Sequence, residues 1–117
     1  MPTLISPRVH GLLDAVVVAA FALAPSLLGL EGLAAVLSYG LAAVHLAMTL
    51  ATDFPAGVAR WVRFPLHGRV EFVVGVALIV LALVLFRGPA FAFFAGAGAV
   101  ILLVWALTDY RGHPRPA

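Results

Sequence analysis

The sequence predicts an all-α integral membrane protein, a four-helix bundle made of two helical-hairpin repeats that point the same way. Three observations predict this fold. The 117-residue chain is 64% hydrophobic and 10% charged, and so short a chain cannot bury that much apolar surface in a water-soluble core. Four segments approach the ~20 apolar residues that a helix needs to cross the hydrocarbon layer. Two polar motifs also recur about half a chain apart.

The four predicted spans are separated by short connections. They cover about residues 11–30, 32–52, 66–86 and 89–108, and the second and fourth contain no Asp, Glu, Lys or Arg. Leu30-Glu31-Gly32 joins the first pair and Arg87-Gly88-Pro89 joins the second. Because Gly and Pro end and restart helices, each pair is predicted to form a tight antiparallel hairpin within one domain, residues 1–117.

The first span has a feature of a cleaved signal peptide. Ala22-Leu23-Ala24 shows the small-x-small pattern of a cleavage site. Pro25 directly after it disfavours cleavage, and Asp14 interrupts the apolar stretch. We therefore expect a retained span that Pro25 kinks or ends early.

Arginine placement predicts the orientation. Arg87 lies at one end of the spans, and six arginines lie on the opposite side with the termini and the central loop: Arg8, Arg60, Arg63, Arg69, Arg111 and Arg115. Because arginines are retained on the cytoplasmic side, both termini are predicted to be cytoplasmic. The arginines flank apolar segments instead of forming a basic stripe, so the net charge of +2 does not indicate nucleic-acid binding.

The central loop mixes basic and aromatic side chains. Asp53 is suited to cap a short helix, and Pro55 suits its first turn. Arg60 and Trp61 favour a short helix in the headgroup region, over about residues 55–64. The alternative is an aromatic-belt loop without a further role.

An internal repeat relates the two hairpins. His10-Gly11 followed by Asp14 matches His67-Gly68 followed by Glu71, with an offset of 57. Thr52-Asp53-Phe54 matches Thr108-Asp109-Tyr110, with an offset of 56. Each repeat, about residues 8–54 and 65–110, contains an even number of spans. Both repeats are therefore predicted to insert in the same direction, which places all four motifs at the cytoplasmic face.

Several stretches of the chain carry a resemblance to a known family. They are residues 8–14 (Arg-Val-His-Gly-Leu-Leu-Asp), 23–29 (Leu-Ala-Pro-Ser-Leu-Leu-Gly) and 50–54 (Leu-Ala-Thr-Asp-Phe), with Pro65 and His67. In these stretches the chain resembles the SPW-repeat integral membrane proteins, although Ala24-Pro25-Ser26 stands where that family has Ser-Pro-Trp. The resemblance implies two-helix units in a bacterial or archaeal cell membrane, and it implies no biochemical activity.

Ionisable residues within membrane spans are candidates for function. On a helix, residues four apart project from one face, as His10 and Asp14 do and as His67 and Glu71 do. Imidazole and carboxylate together suit Zn, Fe or Mn, so these four residues are candidate ligands of a divalent metal. Asp53 and Asp109 follow the second and fourth spans and are predicted to reach the same level, completing a candidate ion-binding set with up to four carboxylates.

Two other interpretations of this set stay open. One is a proton or ion pathway. The other is structural: Asp14 and Glu71 lie in first turns, where the helix dipole favours acids, nearby arginines pair with the acids, and the histidines donate to carbonyl groups.

His45 is the most deeply placed candidate. Ser38, His45, Thr49 and Thr52 recur at spacings of seven, four and three, which is one helix face. We expect this polar stripe to face the bundle interior or another protomer, because lipid offers polar groups no partner. His45 is then either a neutral structural histidine or a proton-relay or ligand-binding residue. Ile101 occupies the matching position of the second repeat.

Rows of small residues predict close helix packing, either within the chain or in a homo-oligomer. The rows are Ala35, Ala43, Ala47 and Ala51 in the second span, and Ala92, Gly96 and Val100 in the fourth.

Three function classes follow from the sequence. The first is a non-enzymatic assembly or ligand- and ion-binding membrane module. The second is a small proton or ion channel or transporter that uses His45 and the acidic cluster. The third is a metal-dependent membrane enzyme, although no nucleophile, phosphate-loop or zinc-protease motif supports it. The expected partners are the lipid bilayer and another copy of the chain, and the one cofactor suggested is a divalent metal.

Overall fold

Four long helices make up most of the described chain. The computed structural model describes residues 3–111, in which α1 (Pro7–Leu28), α2 (Gly32–Ala51), α3 (Phe64–Leu85) and α4 (Gly88–Leu107) follow one another. Two short strands, β1 (Thr52–Asp53) and β2 (Val62–Arg63), pair in parallel between α2 and α3. Each helix is long and apolar enough to cross a membrane. The predicted all-α class and the four apolar helices are therefore confirmed for the described part of the chain.

The first and third helices begin earlier than predicted. The hydroxyl of Ser6 accepts a hydrogen bond from the Val9 backbone N–H, and it caps α1 ahead of Pro7. Pro65 lies in the first turn of α3, where its missing N–H costs no helical hydrogen bond. The predicted starts at residues 11 and 66 were late, because the polar residues near each start belong to the helix.

Pro25 lies inside α1, which continues for three residues beyond it. A proline has no N–H, so the carbonyl four residues earlier, that of Phe21, loses its helical donor. The Ser38 hydroxyl of α2 donates to this carbonyl at 2.6 Å, and both residues are buried. Gly29, with φ of 65°, ends the helix. Of the two predicted effects of Pro25, the early end of α1 is wrong, because a neighbouring helix supplies the missing donor, and the kink stays a prediction.

The two helices of the second hairpin, α3 and α4, pack closely. A Cβ atom added to Gly98 would lie 2.7 Å from the Gly75 carbonyl oxygen, so the backbones of α3 and α4 touch there. Between the hairpins, apolar side chains fill the half of the bundle nearer the two short connections: Phe21, Ala24, Leu30, Ala34, Leu78, Ala82 and Phe94.

The outer surface of the bundle is apolar. Less than a third of the most apolar window of each helix is buried inside the molecule, and such extensive exposed apolar surface is typical of a lipid-facing protein. The row of Ala92, Gly96 and Val100 is exposed and borders an apolar groove of about 320 Å³ between α1 and α4. Ala43 and Ala47 are exposed as well. These parts of the small-residue rows do not mediate packing within the chain.

The polar stripe lies on the buried face of α2 and on the residue that follows the helix, Thr52. Ser38, His45, Thr49 and Thr52 are all buried. The predicted inward orientation of this face is confirmed.

The central loop contains no helix, so the predicted interfacial helix is wrong. The loop folds back onto the end of α2, and the N–H groups of Val58 and Ala59 donate to the Leu50 carbonyl at 2.7 and 2.9 Å. These bonds satisfy a carbonyl that the helix end leaves without a partner. Gly57 lies so close to the Thr52 carbonyl that any side chain would overlap it.

A second parallel bridge resembles the pairing of β1 with β2. Thr52 pairs with Val62 in the strands, and Thr108 pairs with Ile5 near the other end of the described chain. The Ile5 N–H donates to the Leu107 carbonyl, and the Asp109 N–H donates to the Ile5 carbonyl, both at 2.9 Å. The two bridges bring the ends of α2 and α4 beside the starts of α3 and α1, at one end of the bundle.

Candidate metal centre

Five ionisable side chains meet inside this end of the bundle. Each is at most 7% exposed. We call them the His–carboxylate cluster: His10 and Asp14 from α1, His45 from α2, and His67 and Glu71 from α3. In both α1 and α3 the histidine is the fourth helical residue and the acid is the eighth. At ~1.5 Å per residue, the acids lie about 10 Å inside the helix starts.

The positions of the two acids show that the helix-dipole interpretation is wrong. Asp14 and Glu71 do not lie in the first turn of either helix, so the unpaired N–H groups of the helix starts do not account for them. Their contacts are histidines and hydroxyl groups instead. The expectation that the histidines donate to carbonyls is also wrong.

The centre of the cluster alternates nitrogen and oxygen. The Nε2 atom of His10 lies 3.2 Å from Asp14 Oδ1 and 3.1 Å from Glu71 Oε2. The Nε2 atom of His67 lies 3.3 Å from Asp14 Oδ2 and 3.0 Å from Glu71 Oε1. One ligand atom from each of these four residues lies within 4.8 Å of all the others. The four predicted metal ligands therefore converge.

Two threonines fix which ring nitrogen of each central histidine carries hydrogen. The Thr52 hydroxyl donates to the Met48 carbonyl at 2.6 Å, and the Thr108 hydroxyl donates to the Val104 carbonyl at the same distance. A hydroxyl has one hydrogen, so toward a second partner it must accept.

These second partners are the Nδ1 atoms of the central histidines. His67 Nδ1 lies 2.8 Å from the Thr52 hydroxyl, and His10 Nδ1 lies 2.9 Å from the Thr108 hydroxyl. Each Nδ1 therefore donates. In the neutral ring, Nε2 then presents its lone pair to the centre of the cluster. A hydrogen bond from the other ring nitrogen orients metal-binding histidines in the same way.

His45 approaches the cluster from α2. Its Nε2 lies 3.2 Å from Asp14 Oδ1 and 3.7 Å from Glu71 Oε1. The Thr49 hydroxyl donates to Asp14 Oδ2 at 3.2 Å. His45 and Thr49 thus share one carboxylate, which belongs to a facing helix.

An aromatic layer covers the outer side of the cluster. The rings of Phe54, Phe64 and Tyr110 lie 5.3–6.1 Å from the His10 ring, centroid to centroid. The Tyr110 hydroxyl donates to Glu71 Oε2 at 3.0 Å. Burial, and then the negative charge of Glu71, raise the pKa of Tyr110 well above its usual range, so the phenol stays a donor.

Close packing explains the glycine of each histidine motif. A Cβ atom on Gly68 would lie 2.7 Å from the Tyr110 ring. On Gly11 it would lie 2.7 Å from the Cβ of Ala56 and 3.5 Å from the Phe54 ring. Outside the layer, an open cleft of about 440 Å³ is lined in part by these three aromatic residues.

Two predicted site residues lie outside the cluster. Asp53 is exposed, and its carboxylate binds the Arg60 guanidinium at 2.8 Å. Asp109 is half-buried, and its Oδ1 accepts the Arg111 backbone N–H at 3.2 Å. In extended backbone, successive side chains point to opposite sides. Because Thr52 and Thr108 point inward, the aspartates that follow them point away, and the predicted convergence of four carboxylates is wrong.

Three residues of the site are not among the candidates predicted from the sequence. Thr52 and Thr108 orient the central histidines, and Tyr110 binds Glu71. A signal was present, because the two threonines occupy the same position in the repeated Thr-Asp-aromatic motif.

The central distances fit a metal ion. Ligand atoms around a tetrahedral ion with bonds of ~2.0–2.1 Å lie about 3.3 Å apart, and neighbouring ligands around an octahedral ion lie about 3.0 Å apart. The four nitrogen–oxygen distances in the centre, 3.0–3.3 Å, lie in this range, which overlaps that of ordinary hydrogen bonds. One ligand atom from each residue lies within 4.8 Å of the others, so a bound ion would draw the four side chains closer. Two imidazoles with two carboxylates form a donor set for Zn, Fe or Mn.

No family model, curated protein or solved structure matches this chain. The fold and the site define a small all-helical protein with four helices of membrane-crossing length around a buried His–carboxylate cluster.

Proposed function

We propose that this protein is a multi-pass membrane protein whose His–carboxylate cluster binds one divalent transition-metal ion. One observation carries the proposal: both central histidines are held with Nδ1 donating to a threonine, which directs both Nε2 atoms at two carboxylates. Such orientation of both rings is what a metal site requires. We regard the protein as a binding module and assign it no reaction.

The proposed membrane location rests on length and surface. Helices of 20–22 residues span about 30–33 Å, close to the ~30 Å hydrocarbon thickness. The proposed orientation, with the cluster end in the cytoplasm, rests on the arginine asymmetry. Of the arginines used for it, Arg115 lies outside the described residues.

We further propose that the two hairpins are parallel repeats related by a pseudo-twofold axis. The crossed bonds support this arrangement, since His10 pairs with Thr108 and His67 pairs with Thr52 at one end of the bundle. Membership of the SPW-repeat family and formation of a homo-oligomer stay predictions.

Charge balance is met both by a metal site and by a purely structural network. Two carboxylates carry two negative charges, and in a low-dielectric interior they need compensation. One divalent ion bound by neutral imidazoles supplies it, and two imidazolium ions would supply it equally. These arrangements differ in whether the purified protein holds metal.

A conducting pathway is less well supported than a closed site. Beyond His45, the described core is apolar apart from Ser38, and its large side chains include Phe21, Leu78 and Phe94, each at most 2% exposed. Ions and protons need polar groups or water along their route. The polar residues therefore support a closed site inside the bundle more than a pathway through it.

Elemental analysis tests the metal proposal. The full-length protein, purified in detergent and incubated with Zn²⁺, Mn²⁺, Co²⁺ or Fe²⁺, is expected to retain one ion per chain after desalting. Glu71→Gln should abolish retention. The matched control is Asp53→Asn, which removes an exposed carboxylate outside the cluster and should retain the ion.

A second variant addresses the orienting threonines. Thr108→Val removes the acceptor of His10 Nδ1 and should weaken metal binding about 10–100-fold, the usual effect of losing such a partner. Thermal unfolding of each variant verifies its folding. Absence of bound metal in folded wild-type protein would contradict the proposal, as would equal retention by the Glu71 and Asp53 variants.

A further inference from the structure

A small cavity adjoins the His–carboxylate cluster on the side of the bundle core. Its volume is about 10 Å³. Asp14, His45 and Glu71 form its polar wall, and four apolar residues complete it: Leu13, Val17, Ile101 and Val104. A cavity of ~10–15 Å³ accommodates one water molecule when two to four polar groups line it. This cavity meets both conditions, at the lower limit of volume.

The cavity lies where the two hairpins differ. His45 and Ile101 are 56 residues apart, the offset of the repeated Thr-Asp-aromatic motif, and both line the cavity. One wall therefore offers an imidazole and the matching wall offers an aliphatic chain. The apolar wall provides no ligand atom, so this side of the cluster is left without a second nitrogen donor.

His45 differs from the two central histidines in its geometry. His10 and His67 each contact both carboxylates within 3.3 Å, whereas His45 is 3.2 Å from Asp14 but 3.7 Å from Glu71. It also lies outside the set of four whose ligand atoms are mutually within 4.8 Å. This placement suits a residue beside the metal that holds a ligand, not a direct ligand.

We propose that the metal ion has one further coordination position, which faces this cavity and holds a single exchangeable water molecule positioned by His45. This inference rests on the proposed metal site. Sites with all positions filled by protein are structural, and sites that keep a water position are open to exogenous ligands. The small volume restricts the ligand class to water, hydroxide or a molecule of similar size.

Pulsed electron paramagnetic resonance detects such a water directly. Full-length protein loaded with Mn²⁺ in detergent and transferred to ¹⁷O-enriched water is expected to show the hyperfine coupling of one bound ¹⁷O nucleus. Val104→Ile adds one methyl group to the cavity wall and should remove this coupling while Mn²⁺ stays bound. Val100→Ile adds the same group at an exposed position of the same helix and should leave the coupling unchanged.

The methyl group added by Val104→Ile can rotate out of the cavity, so a second cavity variant is needed. Ile101→Phe fills the cavity from the neighbouring position and should also remove the coupling. Bound Mn²⁺ without ¹⁷O coupling in the wild-type protein would overturn this inference and leave the metal site intact. Coupling retained in both cavity variants would refute the placement of the water. Failure to bind Mn²⁺ or any other tested ion would instead overturn the proposed function.

Discussion

Ser38 is predicted to stabilise the bundle by replacing a hydrogen bond that Pro25 removes. Its hydroxyl donates to the Phe21 carbonyl at 2.6 Å, and Ser38 and Phe21 are 0% and 1% exposed. Hydrogen bonds between membrane helices contribute ~0.6 kcal/mol on average, because the unfolded chain finds other partners. Leaving a buried acceptor unpaired costs more, ~1–3 kcal/mol. For Ser38→Ala we therefore expect a loss of about 1–2 kcal/mol in the free energy of unfolding.

The Pro25→Ala background provides the control. Alanine restores an N–H that can donate to the Phe21 carbonyl, so Ser38→Ala should cost less there, with a coupling of about 1 kcal/mol. Unfolding of the four proteins in mixed detergent micelles, followed by circular dichroism, measures all the terms of this cycle. An equal cost of Ser38→Ala in both backgrounds would refute the idea that the hydroxyl substitutes for the missing N–H.

Two further predictions concern packing and orientation. Gly68→Ala places a methyl group 2.7 Å from the Tyr110 ring and should lower the free energy of unfolding by about 1–3 kcal/mol, whereas Gly40→Ala, with no atom within 4 Å, should not destabilise the protein. Equal thermal stability of the two variants would contradict the close contact. A reporter enzyme fused at the C-terminus should be active only in its cytoplasmic form, and a periplasmic signal would refute the predicted orientation.

The helices and the central pairs of the site could be predicted because their signals are local. Membrane-length apolar segments give the helices, and four-residue spacing places His10 beside Asp14 whatever the tertiary structure. The polar stripe predicted which face of α2 is buried, because its spacing is also a local signal. The helix starts were misplaced because the polar residues of the cluster resemble the end of a span.

The rest of the site depends on contacts between distant segments. His10 and Thr108 are 98 residues apart, so no local sequence pattern predicts their contact. Only the repeated motif indicates it. Asp53 could not be assigned correctly without knowing that Thr52 points inward. The central loop folds back on α2 through backbone hydrogen bonds, which residue composition does not specify.

The crossed pairing of histidines and threonines has a consequence for assembly. Each hairpin supplies a histidine whose orienting threonine belongs to the other hairpin. An isolated hairpin would therefore contain one histidine and one threonine that do not pair with each other. A single-hairpin chain carrying the same residues would complete both pairs only as a symmetric dimer, at a rate set by its concentration. Covalent linkage makes the encounter intramolecular. It also allows the two hairpins to differ in sequence, so that Asp14 lies opposite Glu71 and His45 lies opposite Ile101.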